Sequence, residues 1–365
     1  MICRLAREDE REALKLLWRD SFGDEGGFLD WFFAERFLPD YCAIVEQDGL
    51  IAACAHSLPL FVRVRDAVLP GAVLAGVATR PEYRKRGMMR AAMGFLMNEL
   101  RSRGVVVTPH RPERLGTFFG IGHYPVCDMQ YVHRRTDYRS AAAAPEIFTA
   151  AAPPDGLYLC YQRFSLRYSG IISRSYADFR LKFSDYASCG GRVLMHRGVG
   201  GVDGYLMFFD DGDRLFGDEC VAPEEGVYQE LFDGLCAAYP DREITLRMPP
   251  DVAAPVGAER ESMPRAVLGC CNIQALLQAA GTPGATLEVY DSVVPGNNGR
   301  FFSDGGVSRA EPDISIEAGR LTQWAVGYMS MAELAAQGLA EVHSPDAAER
   351  MDAVGKRACY IIDEY

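Results

Sequence analysis

The sequence predicts a mixed α/β (α+β) protein built from three consecutive domains, and three observations carry that prediction. A chain of 365 residues is longer than a single hydrophobic core usually grows. Its apolar fraction of 48% and charged fraction of 24% are those of an ordinary globular protein with material for a large core. Runs with strand-like character alternate with runs of helical periodicity, and an Ala- and Pro-rich stretch from Ser140 to Pro154 sets the first group apart.

The first domain, residues 1–138, opens with two short helical patterns, Glu8 to Phe22 and Glu25 to Phe37. Strand-like stretches follow at Tyr41 to Gln47, Leu50 to Leu58 and Val73 to Thr79. Next comes the most informative segment of the chain, in which Gly76-Val77-Ala78-Thr79 leads through Arg80-Pro81-Glu82-Tyr83 into Arg84-Lys85-Arg86-Gly87-Met88-Met89. Met89, Met93, Leu96 and Leu100 recur at steps of four, three and four, which gives a helix with one buried face running to about Arg103. Gly104 stops that helix, Val105 to Val107 is the next strand, a short helix lies near Glu113 to Phe119, and Met129 to Arg134 is the last strand.

A strand, a basic turn and a helix start form a place for a phosphate. The first turn of a helix leaves N–H groups without intrahelical partners and carries partial positive charge. Arg84, Lys85 and Arg86 add cations beside those donors, and Gly87 lets a ligand approach the backbone closely. A solvated basic turn with a glycine cap would contain the same six residues; the strand before and the helix after favour the phosphate site.

The second domain, residues 139–280, repeats the mixed pattern. Tyr176 to Phe183 is helical, Arg192 to His196, Gly204 to Phe209 and Leu215 to Val221 are strand-like, and Val227 to Tyr239 is a helix. Here Ala222-Pro223-Glu224-Glu225-Gly226 stands where the basic loop stood before, and its two carboxylates would repel a pyrophosphate. The third domain, residues 281–365, contains a strand at Ala285 to Val293, the turn Pro295-Gly296-Asn297-Asn298-Gly299, a strand at Asp313 to Ala318, and helical patterns near Gln323 to Tyr328 and Ser330 to Gln337.

Composition excludes several functions. A formal net charge of -12 argues against a nucleic-acid partner and suits a cationic substrate. The eleven cysteines are odd in number and never spaced as CxxC, so neither a disulfide framework nor a metal site is expected, and the usage fits a reducing, cytoplasmic compartment. The N-terminus becomes charged at once, without the apolar core of a secretion signal, and no apolar run approaches the ~18 residues of a membrane span.

The pattern Arg84-x-x-Gly87-x-Met89 resembles the acyl-CoA motif of the GNAT acetyltransferases, with the basic triplet and large apolar last residue of their Eis-like branch. Val289-Tyr290-Asp291, Asn298-Gly299 and Asp313-Ile314-Ser315-Ile316 resemble the sterol-carrier-like C-terminal domain of the same proteins. The resemblance implies two GNAT-like domains, the second without cofactor, followed by a sterol-carrier-like domain. It implies acetyl-CoA as co-substrate, held by Arg84, Lys85, Arg86, Gly87, Met88 and Met89, with Val77 and Thr79 hydrogen-bonding the pantetheine arm like an added strand. It also implies a homo-oligomer, as in related hexamers.

Transfer of an acetyl group from a thioester needs a neutral amine, a stabilised oxyanion and a proton for the thiolate. The resemblance offers the terminal carboxylate of Tyr365 as base, with Glu364 and Asp363 beside it to attract a cation, and Cys359 to Ile362 supply the apolar bulk of a buried strand. It places the usual tyrosine acid at Phe118, or at Phe119 in the alternative alignment, and neither has a proton to give. His123 or Tyr124 then takes over, solvent protonates the thiolate, or the chain is a weak or non-acetylating member that binds acyl-CoA as a scaffold. For the amine, Phe22, Asp24, Glu25 and Trp31 stand at the first helix-to-helix connection; core packing and helix capping account for the same residue types.

Overall fold

The structure, a computed structural model, describes every residue except 144, 150, 151, 282, 283 and 365. In chain order the first elements are β1 (Ile2–Leu5), α1 (Arg11–Phe22), α2 (Gly27–Trp31), β2 (Cys42–Gln47), β3 (Leu50–Val64), β4 (Ala67–Thr79), α3 (Met88–Ser102), β5 (Val107–His110) and β6 (Tyr124–Arg134). The middle of the chain forms β7 (Glu146–Phe148), α4 (Leu157–Ser165), α5 (Tyr176–Ser188), β8 (Arg192–Gly198), β9 (Gly201–Asp210), β10 (Arg214–Val221), α6 (Val227–Ala238), β11 (Glu243–Met248) and β12 (Ala258–Cys270). The last part forms α7 (Ile273–Ala280), β13 (Thr286–Tyr290), β14 (Gly299–Phe302), β15 (Ile314–Glu317), α8 (Ala318–Ala325), α9 (Met331–Ala336), β16 (Ala340–Val342) and α10 (Pro345–Asp352).

The described chain divides into two compact units. The first gathers Met1–Cys127, Ser169–Ile172 and Arg265–Tyr365; the second gathers Asp128–Tyr168 and Ser173–Pro264. The fold is mixed α/β throughout, as the sequence predicts.

In the first unit the strand order is β1-β2-β3-β4-β5, with the end of β12 antiparallel to β5. The core behind these strands is the apolar face of α3, with Ala92, Met93, Leu96, Met97 and Leu100 packed against Ala43, Val45, Ala53, Ala55 and Leu74. This is the helix read from its four-three-four spacing. The β3–β4 hairpin is longer than the sequence suggests. Pro59 lies beyond the point where β2 pairs, at Cys42↔His56, and before the bridge Val62↔Ile172, so its missing N–H falls where that edge has no strand partner among described residues and does not end the strand. The turn is Arg65-Asp66, and Arg65 takes φ 52 without a glycine to announce it.

The same unit contains a second sheet of order β14-β13-β15-β16 with β13 and β15 parallel. Here β15 passes straight into α8, so that helix begins five residues before the predicted Gln323. The Cys359–Ile362 segment is buried, with Tyr360, Ile361 and Ile362 at most 1% exposed. It is not the full strand expected, because its neighbour is only the short connection Ser169–Ile172. Among described residues the two share one bridge, Ser169↔Cys359, flanked by Ser169 N–H to Ala358 O (2.9 Å) and Tyr360 N–H to Ser169 O (3.0 Å).

In the second unit the order is β6-β11-β10-β9-β8-β7. Its strand β10 pairs in parallel with β11 over Arg214 to Gly217, shifts register against the antiparallel β9 between Gly217 and Glu219, and leads through residues 222–226 into α6. The loop is strapped by Arg167 Nη1 donating to Pro223 O (3.0 Å) and by Glu225 Oε1 accepting from Ala253 N–H (3.2 Å). Beneath it the buried Glu219 takes a bidentate pair from Arg174 (2.8 and 2.7 Å) and the hydroxyl of Tyr205 (2.6 Å).

Candidate active site

The site begins with a defect in a strand. Between Cys54↔Ala78 and His56↔Ala75 the β3–β4 register shifts, and Gly76 takes φ 49. A side chain there would meet the ring of Trp18 at 2.1 Å, so the glycine is required both by its backbone and by the α1 tryptophan lying over it. On its other edge β4 pairs in parallel with β5 through one residue pair, Gly71↔Val107. Beyond that pair the two strands part, and from Ala72 to Thr79 the β5-facing edge of β4 has no strand partner among described residues. The half-buried Val77 and Thr79 lie on this stretch, past the bulge.

The open edge leads to the basic turn. After a short 3₁₀ turn at Pro81–Tyr83, Lys85 takes φ 60 and Gly87 takes φ 79. Left-handed residues in such a turn bend successive N–H groups toward one concavity, a natural anion seat, and a lysine in that region carries local strain of the kind found at ligand clamps. Gly87 is the N-cap of α3 and provides no side-chain cap. A Cβ on it would find nothing within 4 Å, so the space above it is open. Arg84, Lys85 and Arg86 are exposed around that space. Arg84 Nε is anchored to Thr79 O (3.1 Å), and Arg86 lies over the Tyr83 ring at 5.7 Å. Met88 is buried and Met89 half-buried, which fixes the helix start from behind. The residues present fit a pyrophosphate: an uncapped helix start, three cations and an unfilled cradle.

Around the carboxyl end of β5 the expected acids are occupied. His123 is fully buried with its ring over Gly269, and its Nε2 lies 3.4 Å from both Thr108 Oγ1 and Met97 Sδ. Burial pushes its pKa down to about 3. The Tyr124 hydroxyl donates to Glu317 Oε2 (2.8 Å), Arg320 covers its ring, and burial together with the carboxylate pushes its pKa up to about 12. Phe118 is buried on the 3₁₀ segment Leu115–Ile121, which Arg90 of α3 holds through Gly120 O. Phe119 is partly exposed against Tyr124.

The structure also presents two residues that sequence reasoning missed. His110, the last residue of β5, is buried with its ring edge-on to Phe118 at 4.5 Å. Burial, and then the neighbouring His123, hold its pKa well below the usual histidine range. Next to it the buried Arg111 forms an ion pair with Glu364, which brings the C-terminal segment to the end of β5. Asp363 is 1% exposed; Tyr365 lies outside the described residues. No local motif marks either residue: the partner of Arg111 comes from the C-terminal segment, and His110 is distinguished only by its burial.

At the proposed amine end, Trp18 Nε1 donates to Asp24 Oδ2 (2.8 Å), which ties the α1–α2 connection to the residue lying over the β4 bulge. Phe22 and Glu25 are exposed, Asp24 half-buried and Trp31 buried. Trp18, Phe32, Phe33 and Phe37 surround the buried His56 at 5.4 to 5.8 Å, so much of this aromatic stretch is core. Among described residues no cluster of metal-ligating groups occurs, and no helix is long and apolar enough to cross a membrane.

Residues 3–113 match the acetyltransferase (GNAT) domain family, and residues 273–360 match the sterol carrier protein domain family. No curated protein sequence matches the chain. Among solved structures, Eis1 from Mycobacterium abscessus shares 20% identity with a TM-score of 0.79, covering 100% of both chains. A probable N-acyltransferase from Enterococcus faecalis V583 shares 16% with a TM-score of 0.80, again over 100% of both. A GCN5-related N-acetyltransferase from Anabaena variabilis shares 15% with a TM-score of 0.84 and the same complete coverage. The chain therefore carries an N-terminal GNAT acetyltransferase domain and a C-terminal sterol carrier protein domain, and along its whole length it is folded like Eis1.

Proposed function

We propose that the protein is an acetyl-CoA-dependent N-acetyltransferase acting on a primary amine of a small cationic substrate of the aminoglycoside or polyamine kind. One observation carries the reading: the stretch of β4 whose β5-facing edge has no strand partner among described residues ends in a basic, left-handed turn at the uncapped start of α3. Backbone groups of Val77 and Thr79 would take the pantetheine amides, and the Arg84–Met89 turn the diphosphate. When bound, acetyl-CoA supplies an activated acetyl thioester. Asp24, oriented by Trp18, draws the cation toward the bulge, with Phe22, Trp31 and Glu364 as further substrate contacts, and the terminal carboxylate of Tyr365 removes the ammonium proton. The second unit, with an acidic, strapped loop where the first has a basic, open one, serves as scaffold. The assembly is a cytoplasmic homo-oligomer, which light scattering would size.

The test is calorimetric titration with acetyl-CoA, followed by steady-state release of free thiol with a panel of polyamines and aminoglycosides. Turnover on at least one amine is expected. Phe118 favours a second reading, an acyl-CoA-binding scaffold, because the position of the usual acid has no proton. Heat on binding without turnover on any amine would establish that alternative, and no heat would refute both.

A further inference from the structure

Four groups at the parting of β4 and β5 have the chemistry to move a proton: Tyr124, His123, His110 and the Arg111–Glu364 pair. Three are committed. The Tyr124 hydroxyl is spent on Glu317, the His123 Nε2 on Thr108 and Met97, and Arg111 on Glu364. His110 is different. It is 4% exposed, and among described residues neither ring nitrogen makes a hydrogen bond of good geometry; the Thr108 backbone offers the ring one weak partner. A buried imidazole with one weak backbone partner and no well-formed hydrogen bond is costly, so it calls for a ligand group or a function. Its closest ring neighbour is Phe118, the very position where related enzymes would offer a hydroxyl to the thiolate. His110 also closes a strand at the carboxyl end of the sheet, where the two strands diverge and ligands of open sheets lie.

We propose that His110 is a catalytic proton carrier, taking the place of the acid that Phe118 cannot be. The inference rests on the acetyl-transfer reading above. The neutral amine attacks the thioester carbonyl, forming the C–N bond and a zwitterionic tetrahedral intermediate. The neutral imidazole of His110 accepts one N–H proton from the new ammonium centre. The oxyanion re-forms the carbonyl as the C–S bond breaks, with its electron pair going to sulfur. The imidazolium then gives its proton to the thiolate, so that the products are the amide and the free thiol, and His110 is neutral again. The neutral resting form supplies the lone pair, and the same burial that makes it a weak base makes its imidazolium a strong donor toward a thiolate whose ordinary pKa is about 8.5.

The experiment compares the full chain with H110Q and with the double variant H110Q/F118Y. H110Q should lose about a hundredfold or more in kcat, the range expected for a positioned acid–base group. Its KM and calorimetric Kd for acetyl-CoA should stay within about threefold, since uniform binding is untouched. The double variant should recover at least about tenfold, because the tyrosine restores a proton; a packing role for His110 would not be rescued in this way. A kcat of H110Q within about threefold of wild type, or no recovery in the double variant, overturns the proposal. Should H110Q fail to fold, the native chain still decides: with six histidines, a ¹³C-labelled sample titrated with coenzyme A should shift the His110 ring resonance and leave His56 and His123 in place. An unmoved His110 overturns the carrier, whereas a chain giving no heat with acetyl-CoA overturns the parent reading first.

Discussion

Gly76 and Gly87 share a backbone hand but not their surroundings, which makes them a controlled pair. At φ 49, Gly76→Ala places a Cβ 2.1 Å from the Trp18 ring, with two more ring atoms within 2.8 Å. The left-handed conformation costs an alanine about 1–2 kcal/mol, and forcing a methyl into a filled core adds about 1–3 kcal/mol. The sum, about 2–5 kcal/mol, corresponds to a drop in melting temperature of roughly 4–20 °C for a unit of this size. At φ 79 Gly87→Ala pays only the conformational part, since a Cβ there meets nothing within 4 Å. Its melting temperature should fall by no more than roughly 8 °C. Acetyl-CoA binding should weaken in both, through a reshaped bulge in the first and a methyl in the open cradle in the second. Thermal melts followed by circular dichroism, with calorimetric titration of the folded variants, read both quantities. A G76A protein that melts within 2 °C of wild type and keeps its affinity would refute the claim that the tryptophan-packed bulge shapes the cleft.

Four further outcomes follow from the same geometry. Arg84→Glu should weaken acetyl-CoA binding at least tenfold, a charge-assisted contact being replaced by repulsion, with an unchanged melt because the side chain is exposed; unaltered affinity would move the pyrophosphate elsewhere. Tyr124→Phe removes the donor to a half-buried Glu317 and should cost about 1–2 kcal/mol of stability while leaving kcat within about threefold, whereas a hundredfold loss of kcat would make Tyr124 the acid. Appending one residue after Tyr365 should depress turnover, and unchanged kinetics would remove the terminal carboxylate from the mechanism. The Glu10 carboxyl is held down at about 2, first by its hydrogen bond from Arg4. Its folded pKa lies below that of a free glutamate, about 4.3, so its stabilisation is complete above that pH and is lost as pH falls toward 2. Allowing for solvent screening this is about 1–2 kcal/mol, and Glu10→Gln should flatten acid titration of stability over that window.

The parts of the molecule that were legible in the sequence are those whose causes are local. The spacing of Met89, Met93, Leu96 and Leu100 specified α3, and three cations before Gly87 specified the turn that precedes it. The β4 bulge was not legible, because Gly76 answers to Trp18, a residue on another element. Nor was the length of the β3–β4 hairpin, since the tolerance of Pro59 within β3 depends on which strand lies beside it. The early start of α8 was hidden by a strand passing into a helix without a turn residue. His110 was invisible for a related reason. What singles it out is the lack, among described residues, of a well-formed hydrogen bond, and a sequence lists neighbours without showing which groups go poorly satisfied.

The first unit is discontinuous, and this bears on how the protein is made. Arg65, at the tip of the β3–β4 hairpin, donates to the carbonyls of Trp324, Ala325 and Gly355, and Arg63 exchanges backbone hydrogen bonds with Gly170 and Ile171. A ribosome must therefore release the whole intervening unit before the opening strands meet the segments that complete them. During synthesis the first unit waits, partly formed, for partners some 260 residues further along the chain, which makes it the unit more exposed to chaperones and proteases while translation continues.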